Sequence, residues 1–375
     1  MIPVGVLFVI NQLNAAGKEA FLVGGCVRDA LMGIKPHDYD VCSSARPEEV
    51  TELFSSFPLV MAGVKHGTVG VLTDTGLVEI TTYRRETAYT DHRHPDAVWF
   101  VTGLEEDLAR RDFSINAMAM AASGEITDYF GGREDIQKKI IRCVGRSETR
   151  FEEDALRILR ALRFASRLGF TLAPETAAAA HTCGGMLTDI AAERCWEELK
   201  GILQGNCAAA VVNEFLDIIR VVIPEARSLR EDIPLDLSLR LACLLPNAEE
   251  DFLRRLRCEK KRMREIREIQ TLSCPRNITD TWALSARYGE ERTRQVLQYH
   301  GLPTDNLRAV MSQSPCPEAA QLAITGTDLR SIGLSGRSIG ELLSHLLTAV
   351  LERKVPNEKT ALISFARGLV EERKM

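Results

Sequence analysis

The chain has 375 residues, 45% of them hydrophobic and 26% charged, an ordinary globular composition with room for roughly two or three domains. That excludes a largely disordered chain and a single small core. The formal net charge of −5 excludes a global positive field, so a nucleic-acid partner would have to meet a local basic surface.

Taken in chain order, Val6, Ile10 and Leu13 recur at helical spacing. The surrounding apolar run, 4–10, has no basic flank and breaks into Asn11-Gln12, which predicts a helix and not a secretory leader. Ala20 to Val23 predicts a strand ending at Gly24-Gly25, followed by a helix over 27–32 and a short strand over 38–41. Pro47 with Glu48 and Glu49 opens a further helix. The runs 69–72 and 77–82 around Asp74-Thr75-Gly76 predict a β-hairpin, and 98–101, 116–121 and 140–144 are further strand segments. Beyond Gly145 the strand signal fades. Helices are expected over 151–167, 174–183 and 190–203, with Gly169 and Gly184 as stop signals, and helical segments continue to the C-terminus. The Pro- and Asn-containing stretches 272–280 and 311–317 read as boundaries. Ten cysteines without a C-x-x-C pair are expected to be reduced, mostly buried thiols. No stretch approaches the ~20 apolar residues that span a bilayer, so a cytoplasmic protein is expected.

Chemistry concentrates first at Phe21-Leu-Val-Gly-Gly-Cys-Val-Arg-Asp29 and His37-Asp-Tyr-Asp40. Two glycines between a strand and a helix let a phosphate approach the backbone, and Arg28 can neutralise it. Asp38 and Asp40, at i and i+2 of a strand, would project from one face and could hold a divalent metal between a nucleoside triphosphate and an attacking hydroxyl. Singly, Gly-Gly is a tight turn and Asp-x-Asp a solvated loop. In the order strand, Gly-Gly, helix, Asp-x-Asp they point to nucleotide chemistry.

Further motifs follow: Arg110-Arg-Asp-Phe-Ser-Ile-Asn-Ala117, Asp128-Tyr-Phe-Gly-Gly-Arg-Glu-Asp135, Glu153-Asp-Ala-Leu-Arg157 running on to Arg163-Phe164, and Ala192-Glu-Arg-Cys-Trp-Glu-Glu-Leu199. Together with the first pair they resemble, in order and over about half the chain, the class II tRNA nucleotidyltransferases (CCA-adding enzymes) and bacterial poly(A) polymerases, a branch of the DNA polymerase β-like nucleotidyltransferases. The resemblance implies an α+β fold: a polymerase β-like head with a mixed sheet (1–145), a helical neck that reads the base (146–205), a helical body (206–275) and a helical tail that binds tRNA (276–375). It also implies Mg²⁺, CTP and ATP as substrates, tRNA as partner, and addition of C, C and A without a nucleic-acid template. Alternatives are a CC-adding or A-adding enzyme, a poly(A) polymerase, or a non-catalytic RNA-binding paralogue.

By the same resemblance, Gly25 and Arg28 would contact the triphosphate, Asp38 and Asp40 would hold Mg²⁺, and Glu79 would be a third carboxylate. Arg111 and Asp112 would sit at the sugar and phosphate, with Asn116 structural. If 151–167 is one helix, Asp154, Arg157, Arg160 and Arg163 share an i+3 ridge opposite an apolar face of Ala155, Ile158, Leu159, Leu162 and Ala165. On residues alone that ridge is a solvated, salt-bridged face. In the family, Asp154 and Arg157 resemble the pair that reads the base edge, with Arg160 and Arg163 serving the triphosphate or orienting Arg157.

The segment 84–100 carries His92 and His94, too few ligands for a metal site by themselves, and resembles the full-length loop of enzymes that complete the terminal A. His66-Gly-Thr-Val-Gly70 follows the tRNA-enzyme pattern, and the G-R-R-F-x-x-x-H stretch of bacterial poly(A) polymerases is absent there. Arg254 to Arg267 holds eight basic and two acidic residues, a solvated helix face or a phosphate-tracking surface. The segments 326–329 and 333–357 resemble the family's C-terminal part, with Ser335 where proline is usual.

Overall fold

The structure, a computed structural model, describes residues 2–87, 97–245, 253–254, 257–316 and 318–372. The loop histidines His92 and His94 lie outside the described residues. Contacts divide the chain into two compact units, Met1–Glu231 with Arg254–Arg257, and Asp232–Leu253 with Cys258–Met375.

The first unit begins with α1 (Val4–Ala15), β1 (Ala20–Val23), α2 (Gly25–Leu31), β2 (Asp40–Ser43) and α3 (Pro47–Leu53). There follow β3 (Leu59–Val60), β4 (Thr68–Thr73), β5 (Gly76–Thr82), the ribbon β6 (Arg84–Thr87) and β7 (Ala97–Phe100), α4 (Leu104–Ala109), β8 (Met118–Met120) and β9 (Ile126–Asp128). Seven strands form one sheet in the order β3-β4-β5-β2-β1-β8-β9. All neighbours are antiparallel except β2 and β5, whose parallel register sets Asp40 opposite Glu79. Strand alternation separates two cores. Leu22 and Val41 face one side with Val9, Ile10 and Leu13 of α1, while Val23 and Cys42 face the other with Leu104 and Leu108 of α4.

The expected elements recur with three differences that matter for function. Asp38 lies before β2, which begins at Asp40, so the two aspartates do not share strand periodicity. Asn116 belongs to a 3₁₀ turn, Ser114–Asn116, and β8 starts only at Met118. The helix expected over 151–167 is two helices, α6 (Ser147–Glu153) and α7 (Leu156–Leu168), separated by Asp154 in extended backbone (φ −146°, ψ 101°). Between α4 and α6, α5 (Gly132–Lys138) and β10 (Ile140–Ile141) complete the chain order.

The break has a local cause. The Asp154 carboxylate accepts the Leu156 N–H at 3.1 Å, and an aspartate that bonds the backbone ahead of it competes with continuing the previous helix. The predicted apolar face is nonetheless correct: Ala155, Ile158, Leu159, Leu162 and Ala165 are all buried. Gly169 ends α7 in the left-handed region (φ 68°), as its stop signal implied.

Behind α7 lie β11 (Thr171–Leu172), α8 (Pro174–Cys183) and α9 (Ala192–Leu203). β10 pairs in parallel with β11, and Ser114 N–H and Val144 N–H bond the Arg142 and Asp112 carbonyls. The sheet and the helices that follow it are thus tied by backbone hydrogen bonds. α7 and α9 approach closely because Gly201 leaves room for the Arg163 stem and Gly205 for the backbone of Ser166.

The second unit is helical. Asp236 and Asn277 cap helices by accepting from Leu239 N (2.9 Å) and Asp280 N (2.8 Å), and Thr325 and Asp328 bond each other's backbone N–H. Its core gathers Trp282, Leu346, Leu347, Val350 and Leu362. The stretch Ile278–Tyr299 is broken at Gly289 (φ 83°, ψ 166°), a conformation that favours glycine. No helix among the described residues is long and apolar enough to cross a membrane.

A Cβ at Gly205 would lie 2.5 Å from the carbonyl carbon and oxygen of Ser166. Gly205→Ala should therefore cost about 1–3 kcal/mol through overpacking, read as a lower denaturant midpoint at unchanged slope.

Candidate active site

The site is built at the ends of β1 and β2. Gly24 carries the chain out of β1 at φ 76°, ψ −137°, a conformation essentially restricted to glycine. A Cβ there would sit 3.3 Å from an Arg111 nitrogen and 3.8 Å from an Asp40 oxygen. Of the glycine pair, Gly24 is therefore the one whose missing side chain matters, whereas Gly25 begins α2 and faces only Arg28. In the sequence the two glycines stand side by side, and local pattern does not distinguish which of them turns.

Two clefts meet at Asp40. One, about 570 Å³, contains Asp38, Asp40 and Glu79 together with Thr75 and Leu77. The other, about 530 Å³, contains Gly24, Gly25, Asp40, Asp112 and Asp154 and is walled by arginines. Asp40 is exposed by area, yet desolvation by its surroundings raises its pKa; Arg111 opposes the shift and the like charges of Glu79 and Asp38 add to it. Glu79 belongs to an inner strand of the sheet, not to its edge.

Asp38, Asp40 and Glu79 form no ion pair within 4.0 Å of a cationic side chain among the described residues, and neighbouring carboxylates whose like charges add at Asp40 are chemistry suited to a cation. No group of three or more His, Cys, Asp or Glu among the described residues is close enough to hold a metal alone. The fit is to a hard cation that takes a few carboxylate oxygens and completes its shell with substrate phosphates and water.

The arginines of the second cleft are each held. Asp107, fully buried, accepts from Arg110 at 2.8 and 3.0 Å, from Arg111 at 3.1 Å and from the Arg84 N–H at 3.3 Å. Asp112 accepts from Arg160 at 2.6 and 2.9 Å, from its neighbour Phe113 N–H, and from Asn116 at 3.3 Å. Asn116 in turn accepts from Arg28 at 2.8 Å, so it bridges Arg28 to Asp112 beyond any role in its own turn. Arg28 also pairs with Asp29 at 2.7 Å. Arg157 donates to Glu153 at 2.6 Å and to the carbonyls of Arg150 and Arg110.

Beneath them lies Phe164. The guanidiniums of Arg163, Arg28 and Arg160 stand 4.4, 5.2 and 5.7 Å from its ring centre, within cation–π range, and Phe113 packs edge-on against it at 5.8 Å.

The structure thus gathers Gly25, Arg28, Arg111, Asp112, Asp154, Arg157 and Arg160 around one cleft and Asp38, Asp40 and Glu79 around the adjoining one. Arg163 lines neither. It lies behind Phe164 and pairs with Glu198 at 2.5 Å. Because Asp154 precedes α7, the expected single ridge of Asp154, Arg157, Arg160 and Arg163 does not form, and Asp154 reaches the cleft from an extended segment. Sequence reasoning missed Asp107, whose spacing to Arg110 and Arg111 (i+3, i+4) was a usable signal, and also Phe164 and Arg194.

The fold and sequence match known proteins throughout. The Poly A polymerase head domain matches residues 20–142, the Probable RNA and SrmB-binding site of polymerase A 169–228, and tRNA nucleotidyltransferase domain 2 237–366. The CCA-adding enzyme of Leuconostoc citreum (strain KM20) is 36% identical over 98% of this chain and 96% of its own length. That of Enterococcus faecalis (strain ATCC 700802 / V583) is 34% identical over 96% and 94%. The crystal structure of Bacillus stearothermophilus CCA-adding enzyme in complex with CTP superposes with a TM-score of 0.77 at 34% identity, covering 98% of this chain and 97% of that one. The Thermotoga maritima enzyme complexed with tRNA shares the fold at TM-score 0.75 and 22% identity, over 97% and 94%.

The Asp107 carboxylate makes a testable claim about stability. Burial alone would raise its pKa, but Arg110 and then Arg111 outweigh it and hold it below the ordinary value. A depressed carboxylate contributes stability that is present above its unfolded pKa and lost as pH falls through its folded pKa. Asp107→Asn should cost about 3–5 kcal/mol at neutral pH, because it removes the buried charge that two partly buried guanidiniums share. Urea midpoints of parent and variant should converge as pH is lowered through the carboxylate range, and a gap independent of pH would contradict the charge argument.

Proposed function

The chain belongs to the CCA-adding tRNA nucleotidyltransferases, and from that premise we propose how its own residues add C, C and A to the 3′ end of tRNA. The reaction takes CTP and ATP, joins the nucleotide to the terminal 3′-hydroxyl and releases pyrophosphate, without a nucleic-acid template. The observation that carries the residue assignment is that Asp40 is shared by two clefts, one acidic and one walled by arginines that ends at Asp154 and Arg157.

In this reading the arginine-walled cleft takes the nucleotide. The Gly24-Gly25 turn admits a phosphate close to the backbone, and Arg28 and Arg111 face it. Asn116 and Asp112 keep Arg28 and Arg160 in place, and Phe164 separates the guanidiniums that share it. Asp112 and Arg111 approach the sugar. At the far end, the Asp154 carboxylate accepts from the exocyclic amine of cytosine or adenine, and the Arg157 guanidinium donates to the ring nitrogen or carbonyl beside it. Uracil and guanine present a carbonyl where Asp154 needs a donor.

Asp38 and Asp40 would hold Mg²⁺, with Glu79 as a third carboxylate at the same cleft. Bound there, the ion would neutralise charge on the transferring phosphoryl group and favour ionisation of the attacking hydroxyl. The residues themselves contribute positioning and fixed electrostatics. We assign 1–145 to the catalytic head, 146–205 to the base-reading neck, 206–275 to the body and 276–375 to the tRNA-binding tail. The basic helix Lys260–Thr271 is a phosphate-tracking surface, with Arg264 largely exposed. A cytoplasmic setting belongs to the same reading, supported by ten free cysteines, seven of them buried.

The test is extension of a tRNA transcript lacking its 3′ CCA. CTP alone should add two residues and CTP with ATP three. Arrest at CC, extension only of a CC-ending tRNA, or a long A ladder would contradict complete addition. Asp38→Ala and Asp40→Ala should each slow transfer by at least about 100-fold with tRNA affinity retained in a filter-binding assay. Near-parental rates in both would overturn the metal assignment.

A further inference from the structure

We infer that Arg194 is a positioning residue for nucleotide selection: it fixes the direction in which the Asp154 carboxylate meets the base. The inference rests on the assignment of Asp154 to base reading made above. Asp154 stands in extended backbone between α6 and α7, so no helical geometry restrains its side chain. Two contacts do. One oxygen accepts the Leu156 N–H at 3.1 Å, and the other accepts from an Arg194 nitrogen at 3.0 Å. The first is local and shares the flexibility of the break itself. The second comes from the first turn of α9, and Arg194 also lines the arginine-walled cleft.

α9 is a firm platform for that contact. It is pinned to α7 by the Glu198–Arg163 pair at 2.5 Å, by Ser166 Oγ donating to the Ile202 carbonyl at 2.6 Å, and by the glycine contacts at 201 and 205. Arg157 is held separately, by Glu153 and by the Arg150 carbonyl. Each half of the base-reading pair therefore has its own support, and for Asp154 the support distant in sequence is Arg194. The pair is partly shielded, with side-chain exposures of 24% for Arg194 and 17% for Asp154.

Each carboxylate oxygen has about two acceptor directions. With one taken by Leu156 N–H and one by Arg194, the remaining directions are set, and these face an amine or repel a carbonyl. Loss of Arg194 frees the carboxylate to turn. The attraction to cytosine and adenine then weakens, and so does the repulsion of uracil and guanine. A purely structural role would instead depress every nucleotide alike.

The experiment compares kcat/KM for CTP and UTP on tRNA lacking CCA in the parent, Arg194→Met, Arg194→Lys and Asp154→Ala. Arg194→Met should lower the CTP:UTP ratio by at least about tenfold, through a raised KM for CTP with UTP use undiminished. Arg194→Lys should recover part of the ratio, since a cation of similar reach returns. In Asp154→Ala/Arg194→Met the ratio should be no lower than in Asp154→Ala alone, because the arginine then has nothing to aim. Equal loss for CTP and UTP, or an unchanged ratio, in Arg194→Met would overturn the inference while a collapsed ratio in Asp154→Ala upheld base reading. An unchanged ratio in Asp154→Ala would remove the base-reading assignment itself. Should Arg194→Met fail to fold by circular dichroism, Arg194→Gln supplies the same comparison.

Discussion

Seven guanidinium groups line a cleft of about 530 Å³, and the fold has to hold them together. Like charges a few ångströms apart near a protein surface repel by about 3–4 kcal/mol a pair, so such a wall cannot form unless the charge is offset. The chain offsets it with carboxylates placed at the arginines: Asp29 for Arg28, Asp107 for Arg110 and Arg111, Asp112 for Arg160, Glu153 for Arg157 and Asp154 for Arg194. A guanidinium has five N–H donors, and a carboxylate uses only some of them. On the assignment proposed above, arginines paired in this way meet a triphosphate while the assembly stays folded. Phe164 adds an attractive face that three of the guanidiniums in this region share.

The same pairs join the sheet to the helices behind it. Asp112, in the segment after α4, binds Arg160 of α7. The Arg110 carbonyl accepts from Arg157 at 3.4 Å. Backbone bonds between 112–114 and 142–144, and the short β10–β11 pairing, run alongside. Asp40 on the sheet and Asp154 at the helix break therefore face one cleft within a single compact unit. In a nucleotidyltransferase that carries its own template, the reacting phosphate and the base edge must be held in one frame. A displacement of about 1 Å between them would cost roughly 100-fold in rate, and on the assignment proposed above both ends of the nucleotide meet residues of this one unit.

Much of this was legible in the residues alone. The apolar run 20–23, the hairpin around Asp74-Thr75-Gly76, the Gly-Gly and Asp-x-Asp pair, and the apolar face of 155–165 depend on local backbone geometry, which neighbouring residues determine. The arginine and aspartate identities of the cleft were legible too, because their motifs are contiguous in the chain.

What only the tertiary structure decided concerns positions that local rules treat as equivalent. Helical periodicity runs on through 151–167 without a gap, so the break at Asp154 left no trace in the pattern. The Leu156 N–H that Asp154 accepts is a local bond any aspartate could decline, and what the fold adds is Arg194, forty residues further on, which meets the other carboxylate oxygen. The pairing of Glu79 with Asp40 is a register between strands with α3, β3 and β4 between them in the chain, and register is set by packing of the whole sheet. Likewise Gly24, not Gly25, carries the turn, because Arg111 and Asp40 close in on it from elsewhere in the chain. Residue types and local geometry determined which groups the site contains; long-range packing decided which of them face one another, because only the folded chain brings distant charges within hydrogen-bonding reach.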